Sequence, residues 1–295
     1  MSGGVLCVGA LSLDTIFRFD TLPTGPGQYL PGEALDVAQG MATAQAASIV
    51  RLGGKARLWA SCGDDANGDR IVAQLHDAGI DLSALRRVSG ARSGFSSIIM
   101  DAAGERIVVP FYDPAIRTPP TALPPMDDIA VASVDARWPE AAAMALRAAR
   151  DRGIPGVLDA DVAPAETLTR LAALASHIIA SEAVCGALFG ADDPVRALAG
   201  AGDRFTAITC GERGCYWSDG DGVRHLPAFT VDAVDTLAAG DVFHGAFAFG
   251  LAEGWDIERN LRFASAAAAI KCTRFGGRLG APTRAEVEAM LQAVG

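Results

Sequence analysis

No run of apolar residues in this chain approaches the ~20 needed to cross a bilayer as a helix. Met1-Ser2-Gly3-Gly4 leads straight into the strand-like Val5-Leu6-Cys7-Val8-Gly9, without the charged start or cleavage site of a secretory signal, so export is not expected. The six cysteines form no Cys-x-x-Cys and no Cys/His ligand spacing, which points to buried, reduced thiols in a cytoplasmic protein. A net charge of −10 argues against nucleic acid or an anionic membrane as partner, although one local site can still bind a nucleotide. His76, His177, His225 and His244 lack ligand spacing, and no Ser/His/Asp or Cys/His arrangement stands out. No Gly-x-Gly-x-x-Gly follows the first strand-like run, which weakens a dinucleotide reading, and no Gly-x₄-Gly-Lys-[Ser/Thr] is present. Internal repeats and low-complexity tracts are also missing. What remains is 295 residues, half of them apolar, enough to bury a substantial core.

Short β-rich runs alternate with longer helical patterns. Strands are expected at Val5–Leu11, Arg57–Cys62, Ile129–Val134, Pro155–Asp159, His177–Ala180 and Phe205–Thr209. Helices are expected at Val37–Leu52, Gly68–Ala78, Pro139–Arg152, Thr167–Leu174, Asp241–Glu253, Ile257–Cys272 and Arg284–Val294. The alternation predicts a doubly wound α/β fold, a mainly parallel sheet with helices on both faces and a ligand site beyond the carboxyl ends of the strands. Two segments break the rhythm. Ile16–Leu35 carries Gly25-Pro26-Gly27 and a pattern too short for helices, and Gly94–Phe111 reads as a hairpin around Asp101-Ala102-Ala103-Gly104. Together they predict a small projecting sheet that must cover a substrate or another subunit; ordinary surface hairpins are the plainer alternative. Pro119–Pro125 connects it back to the main body.

The most informative stretch is Asp235-Thr236-Leu237-Ala238-Ala239-Gly240-Asp241-Val242-Phe243-His244-Gly245-Ala246-Phe247. Ala238, Ala239 and Gly240 leave backbone N–H groups free to face an anion where a loop becomes a helix. The helix dipole holds Asp241 ionised there, ready to accept the proton of an attacking hydroxyl while the amides neutralise a transferred phosphoryl group. A simple N-cap Asp on a buried helix is the plainer reading, and the two are compatible.

Asp-Thr-x-Ala-Ala-Gly-Asp-x-Phe-x-Gly-Ala resembles the C-terminal signature of the ribokinase-like (PfkB-type) carbohydrate kinases. That family has Gly or Ala at the position of Ala238. The resemblance implies that Asp241 is the catalytic base, that Ala238, Ala239, Gly240 and Asp241 build the anion hole, and that ATP and Mg²⁺ take part. It implies one kinase domain over residues 1–295, with a lid at about 16–35 and 94–111 that covers the sugar and pairs two copies into a homodimer.

Other segments match in family order. Gly63-Asp64-Asp65-Ala66-Asn67-Gly68 reads as scaffold, with Asp64 or Asp65 capping a helix. Asp14 can accept hydrogen bonds from two vicinal hydroxyls or can be a plain turn residue; the resemblance makes it the sugar-binding Asp. Gln39-Gly40-Met41-Ala42-Thr43-Ala44 stands where the family has Gly-Gly-x-x-x-Asn, so Gly40 and Ala44 fall at sugar-contacting positions, with the usual Asn replaced. Thr209, Gly211 and Gly214 match a nucleotide loop, although a tight turn explains both glycines equally well. Ser181-Glu182-Ala183-Val184 stands at the family's Asn-x-x-Glu, with Ser181 for the Asn and Val184 for the Glu, leaving Glu182 as the nearest carboxylate; the resemblance implies ATP contact and a water-mediated hold on Mg²⁺ there. Lys271 closes the nucleotide side, or simply caps a helix C-terminus. Carbonyls near Asp235 and Leu237 would hold a monovalent cation such as K⁺.

A finer likeness, in Asp135-Ala136-Arg137-Trp138 and Leu158-Asp159-Ala160-Asp161 among others, is to the sulfofructose kinase branch, which phosphorylates a sulfonated ketohexose. That branch has a lysine where this chain has Gln28. Arg137, just after an expected strand, can bind an anionic group of the acceptor through two parallel hydrogen bonds or can pair with Asp135, Asp159 or Asp161. The expected activity is therefore phosphoryl transfer to a hydroxyl of a ketohexose-like sugar. A nucleoside kinase, a weakly catalytic sensor on the same scaffold and, more remotely, an NAD-dependent oxidoreductase are the alternatives.

Overall fold

Val5-Leu6-Cys7-Val8 is fully apolar and buried, which suits a strand covered on both faces of a parallel sheet. The computed structural model describes residues 3–294 and places that strand near one edge of an eight-stranded sheet. In chain order the strands are β1 (Gly4–Val8), β2 (Ser12–Arg18), β3 (Glu33–Gln39), β4 (Ala56–Trp59), β5 (Ser61–Gly63), β6 (Arg86–Val88), β7 (Phe95–Met100), β8 (Arg106–Phe111), β9 (Ile129–Asp135), β10 (Gly156–Ala160), β11 (His177–Ser181), β12 (Phe205–Thr209), β13 (Cys215–Ser218) and β14 (Arg224–Leu226). The helices are α1 (Met41–Arg51), α2 (Ala66–Asp77), α3 (Pro139–Asp151), α4 (Ala165–Ala172), α5 (Cys185–Phe189), α6 (Pro194–Ala199), α7 (Ala239–Ala252), α8 (Ile257–Cys272) and α9 (Arg284–Val294).

The main sheet has the order β14-β13-β12-β11-β10-β9-β1-β4. It is parallel from β4 to β12 and antiparallel at β13 and β14. One core packs α1, α2, α7, α8 and α9 on one face; a second packs α3 to α6 on the other. Close approach decides how α7 packs on α1. A Cβ on Gly245 of α7 would lie 2.6 Å from the Gln45 carbonyl of α1, and α1 answers with Ala42, Ala44, Ala46 and Ala47, all buried. The expected mixed architecture is the one observed, and no described helix is long and apolar enough to cross a membrane.

Boundaries near the projecting sheet differ from expectation. The strand expected over Val5–Leu11 stops at Val8, because Gly9 (φ 146°) turns the chain and Ser12 opens a new sheet. The helix expected over Val37–Leu52 begins only at Met41; Val37 to Gln39 belong to β3, and Gly40 (φ 115°) makes the break. The alanine-rich helix masked that break. The projecting sheet therefore spans more than the expected lid segments, with the order β3-β2-β7-β8 and parallel pairing only between β2 and β7. Its small core of Ile16, Val37, Ile98 and Met100 rests on Leu237 and Phe275, so it is seated on two loops of the main body. Of the two candidate caps on α2, Asp65 accepts the Gly68 amide at 2.9 Å.

Candidate active site

The carboxyl ends of β1 and β9 meet at one carboxylate. Asp135, the last residue of β9 and fully buried, accepts the amides of Ala10 (2.8 Å), Ala42 (3.0 Å) and Arg137 (2.7 Å). It thus ties the turn after β1, the start of α1 and the segment after β9 together. A Cβ on Gly9 would lie 2.2 Å from the Asp135 carboxyl group, so only glycine lets the turn approach. Burial raises the Asp135 pKa against those three donors. Asp14 sits within β2 rather than in a turn, buried, with the Ser12 hydroxyl at 2.7 Å. Burial raises it too, while Ser12 and Ser96 favour its ionised form.

Helix α7 begins two residues earlier than expected. Ala238, not Asp241, is the N-cap residue, in the left-handed conformation at φ 63°; it is the only such non-glycine among the described residues. Asp241 therefore lies in the first helical turn. The Ala239 amide bonds the Thr236 carbonyl at 3.2 Å and is spent, whereas the amides of Gly240 and Asp241 have no acceptor among the described residues. A Cβ on Gly240 would meet nothing within 4 Å. Those two amides are left without a partner at the helix terminus, as an anion-binding helix N-terminus requires. Asp241 is half-buried. Burial first, then the charge of Asp159, lifts its pKa to about 8, while His244 pulls the other way.

Helix α7 also brings His244 into this cluster, buried beside Asp159. Gln45 of α1 bridges Asp159 (2.8 Å) and the Ser133 hydroxyl (2.7 Å). Around Asp241 the polar groups thus belong to α1, α7, β9 and β10. A model of the pfkB family carbohydrate kinases matches residues 4–284. The chain belongs to that family. It is 31% identical to the ribokinase of Bacillus subtilis (strain 168), over 97% of this chain and 99% of that one. A solved structure from Agrobacterium tumefaciens, provisionally named a ribokinase, superimposes with a TM-score of 0.96 at 46% identity, covering 100% of this chain and 99% of that one. Arabidopsis thaliana ribokinase complexed with ribose and ATP has the same fold, with a TM-score of 0.84 at 21% identity and 99% coverage of each chain.

In this kinase the acceptor side differs from expectation. Gly40 stands at the N-cap of α1, where a Cβ would lie 2.4 Å from the Ala10 carbonyl. Ala44 is fully buried and offers no polar atom, so no hydrogen bond replaces the family's Asn there. Gln39 instead accepts the Arg278 amide at 3.2 Å. Gln28 is exposed on the loop between β2 and β3. Arg137 is partly exposed and makes no ion pair among the described residues; only its backbone amide bonds Asp135. With Arg117 and Tyr112 it lines a cavity of about 20 Å³ at the end of β1. Arg117 was not anticipated from the sequence. A larger hollow of about 470 Å³ lies elsewhere, and its cation, Arg57, is engaged by Asp81 and Asp128.

The expected nucleotide-side residues lie at the ends of β11 and β12. Ser181 donates to Asp161 at 2.8 Å, Glu182 is paired with Arg213, and the Thr209 hydroxyl is 3.4 Å from the Ala180 carbonyl. Gly211 (φ 56°) and Gly214 (φ 86°) flank a short turn before β13; a Cβ on Gly214 would lie 2.1 Å from the Leu226 carbonyl, so this glycine serves the β13–β14 hairpin. Lys271 is fully buried and bonded to Asp235, hence out of reach of a nucleotide in this arrangement.

Proposed function

We propose that this kinase transfers the γ-phosphoryl group of ATP to a hydroxyl of a sugar that carries an anionic group remote from the reacting centre, a sulfofructose-type ketose being the reference substrate. The observation that carries the anionic group is the pair of guanidinium-bearing residues, Arg117 and Arg137, at one small cavity beyond β1. Asp241 accepts the proton of the attacking hydroxyl, and the amides of Gly240 and Asp241 receive the charge that grows on the transferred group. Asp14 holds the sugar through its hydroxyls, next to Tyr112, whose ionisation burial first and then Asp14 oppose. ATP as donor is supported by the Arabidopsis relative, which holds ribose and ATP on the same fold.

Mg²⁺ accompanying the nucleotide would neutralise phosphate charge. Among the described residues no cluster of three or more His, Cys, Asp or Glu forms a metal cage. Asp161 and Glu182 are the carboxylates on that side, and they would hold the ion through water once Glu182 leaves Arg213. A second copy is the other partner we propose. The edge strand β8 exposes Ile107, Val108, Val109 and Phe111, and light scattering of the wild type against Val109→Lys tests lid-to-lid pairing.

The deciding experiment compares kcat/KM for ribose, fructose, fructose 6-sulfonate and a nucleoside in wild type and Arg137→Ala. Loss of Arg137 should cost the charged sugar roughly 1.5–3 kcal/mol more than the neutral one. Equal losses would leave Arg137 as scaffold, and a nucleoside preferred over every sugar would replace this reading.

A further inference from the structure

The monovalent cation expected at the carbonyls of Asp235 and Leu237 does not fit the residues present. The Asp235 carbonyl already accepts a hydrogen bond from Lys271 Nζ at 2.6 Å. The same ammonium lies 3.0 Å from Asp235 Oδ2 and 3.3 Å from the Arg274 carbonyl. Lys271 and Asp235 are both fully buried. Three donors thus meet three oxygens, two from the main chain and one from a carboxylate, inside the protein. A dehydrated alkali cation is satisfied by the same kind of oxygen set.

We propose that the Lys271 ammonium is a resident, covalently attached cation that positions the anion-hole loop and makes this kinase independent of K⁺. Asp235 shows how the positioning is transmitted. Its carboxylate also accepts the amides of Leu237 (2.7 Å), Gly276 (2.9 Å) and Gly277 (3.1 Å). The amides of Val234 and Asp235 bond the Cys272 carbonyl at 2.7 and 3.0 Å. The segment entering α7 is therefore clamped from both sides, and Ala238 is held left-handed one residue after Leu237. Without a positive charge, the Asp235 carboxylate and two carbonyls would face one another unscreened. Burial lowers the Lys271 pKa while Asp235 works against that, and the pair is neutral as a unit. Lys271 touches no substrate atom and acts through the loop; it is a positioning residue.

The inference rests on the anion-hole reading of Ala238 to Asp241 but not on the identity of the sugar. Wild-type rates in chloride salts of K⁺, Na⁺ and tetramethylammonium at one ionic strength should agree within about twofold. Severalfold activation by K⁺ would overturn the proposal. Lys271→Ala should lower kcat by about 10- to 100-fold, and K⁺, NH₄⁺ or methylammonium, but not tetramethylammonium, should restore it. Melting temperature gives a readout free of turnover. The same small cations should stabilise Lys271→Ala and leave the wild type unmoved. Lys271→Met keeps most of the volume without the charge and covers the case in which the alanine variant does not fold. A folded variant indifferent to every ion in both rate and melting would make Lys271 a packing residue. An active-site failure unrelated to Lys271 would instead remove activity while leaving the ion-dependent melting in place.

Discussion

Nε2 of His244 lies 3.3 Å from Asp159 Oδ1, and both side chains are almost wholly withdrawn from water. On the other side of the ring, Nδ1 is 2.7 Å from the Gly240 carbonyl. With Nδ1–H donating to Gly240, one proton serves the contact between Nε2 and Asp159. Burial, then Asp161 and Asp135, push the Asp159 pKa well up. The pair therefore ties the first turn of α7, which carries the free amides, to the end of β10.

Asp159 is also the first charged neighbour that raises Asp241. Asp159→Asn should thus lower the Asp241 pKa and move the rising limb of kcat/KM against pH to the acid side, by about 0.5–1 unit. The pH profile of the variant checks this. An unmoved limb would mean that Asp159 stays neutral throughout and does not act on Asp241.

Asp241→Asn separates catalysis from stability. The carboxylate is the proton-accepting form, so wild-type kcat/KM should rise with pH and level off above about 8, where Asp241 is ionised. The asparagine variant should lose about 10²–10⁴ in kcat while still binding ATP. Its stability should run the other way. A pKa raised from 3.8 to about 8 means the native state keeps a proton that the unfolded chain releases across that window. Wild-type stability then declines as pH rises through the window, whereas the uncharged variant escapes the decline. Denaturant unfolding at several pH values should show the variant's advantage growing to at least about 1 kcal/mol by pH 8. Near wild-type turnover would remove Asp241 as the base.

Gly9 and Gly240 are both at the site but for opposite reasons, and alanine tells them apart. At Gly9 the new methyl would meet the Asp135 carboxyl group at 2.2 Å, so Gly9→Ala should cost about 2–4 kcal/mol of stability. At Gly240 it meets nothing in the protein, so Gly240→Ala should fold normally, with a gain of up to about 1 kcal/mol from helix propensity. It should nonetheless lose activity, because the methyl fills the space in front of the free amides. Thermal melts beside steady-state rates give the comparison. A fully active Gly240→Ala would place the anion elsewhere.

The doubly wound sheet and the lid were legible because both are written locally, in apolar runs of strand length and in a break of that rhythm at Ile16–Leu35 and Gly94–Phe111. The segment entering α7 was legible for the same reason: its small residues stand side by side. The polar groups around it were not. Gln45 and Asp159 are 114 positions apart, and Ala10 and Asp135 are 125 apart, so no window of sequence shows them touching. His244 carried no ligand spacing, and only helix packing reveals it beside Asp159. Lys271 at the end of α8 looked like an ordinary basic cap. Its burial is a tertiary fact, fixed by where Asp235 and the loop after α8 return. Ala238 was read correctly as small, yet its left-handed backbone is invisible in composition.

Arg106, on the edge strand of the lid, donates to the Thr236 hydroxyl at 2.8 Å, two residues before Ala238. Together with Leu237 under the core of the small sheet, this bond links that sheet to the loop entering α7, which in the proposed reading are the sugar cover and the anion hole. Closure and completion of the site should therefore be coupled, so that ATP is consumed only when an acceptor is present. Arg106→Ala cuts the polar half of that link and leaves the apolar half. The bond is exposed, so overall stability should change by less than about 1 kcal/mol. Acceptor KM should rise more than kcat falls, and the ratio of ATP hydrolysis to sugar phosphorylation should increase as water enters a looser site. Hydrogen exchange at Ser12–Arg18 and Phe95–Met100 gives an independent view. Acceptor should slow exchange there in the wild type and do so less in the variant. If exchange and coupling match the wild type, the Arg106–Thr236 bond is incidental, and the lid acts on the anion hole through Leu237 alone.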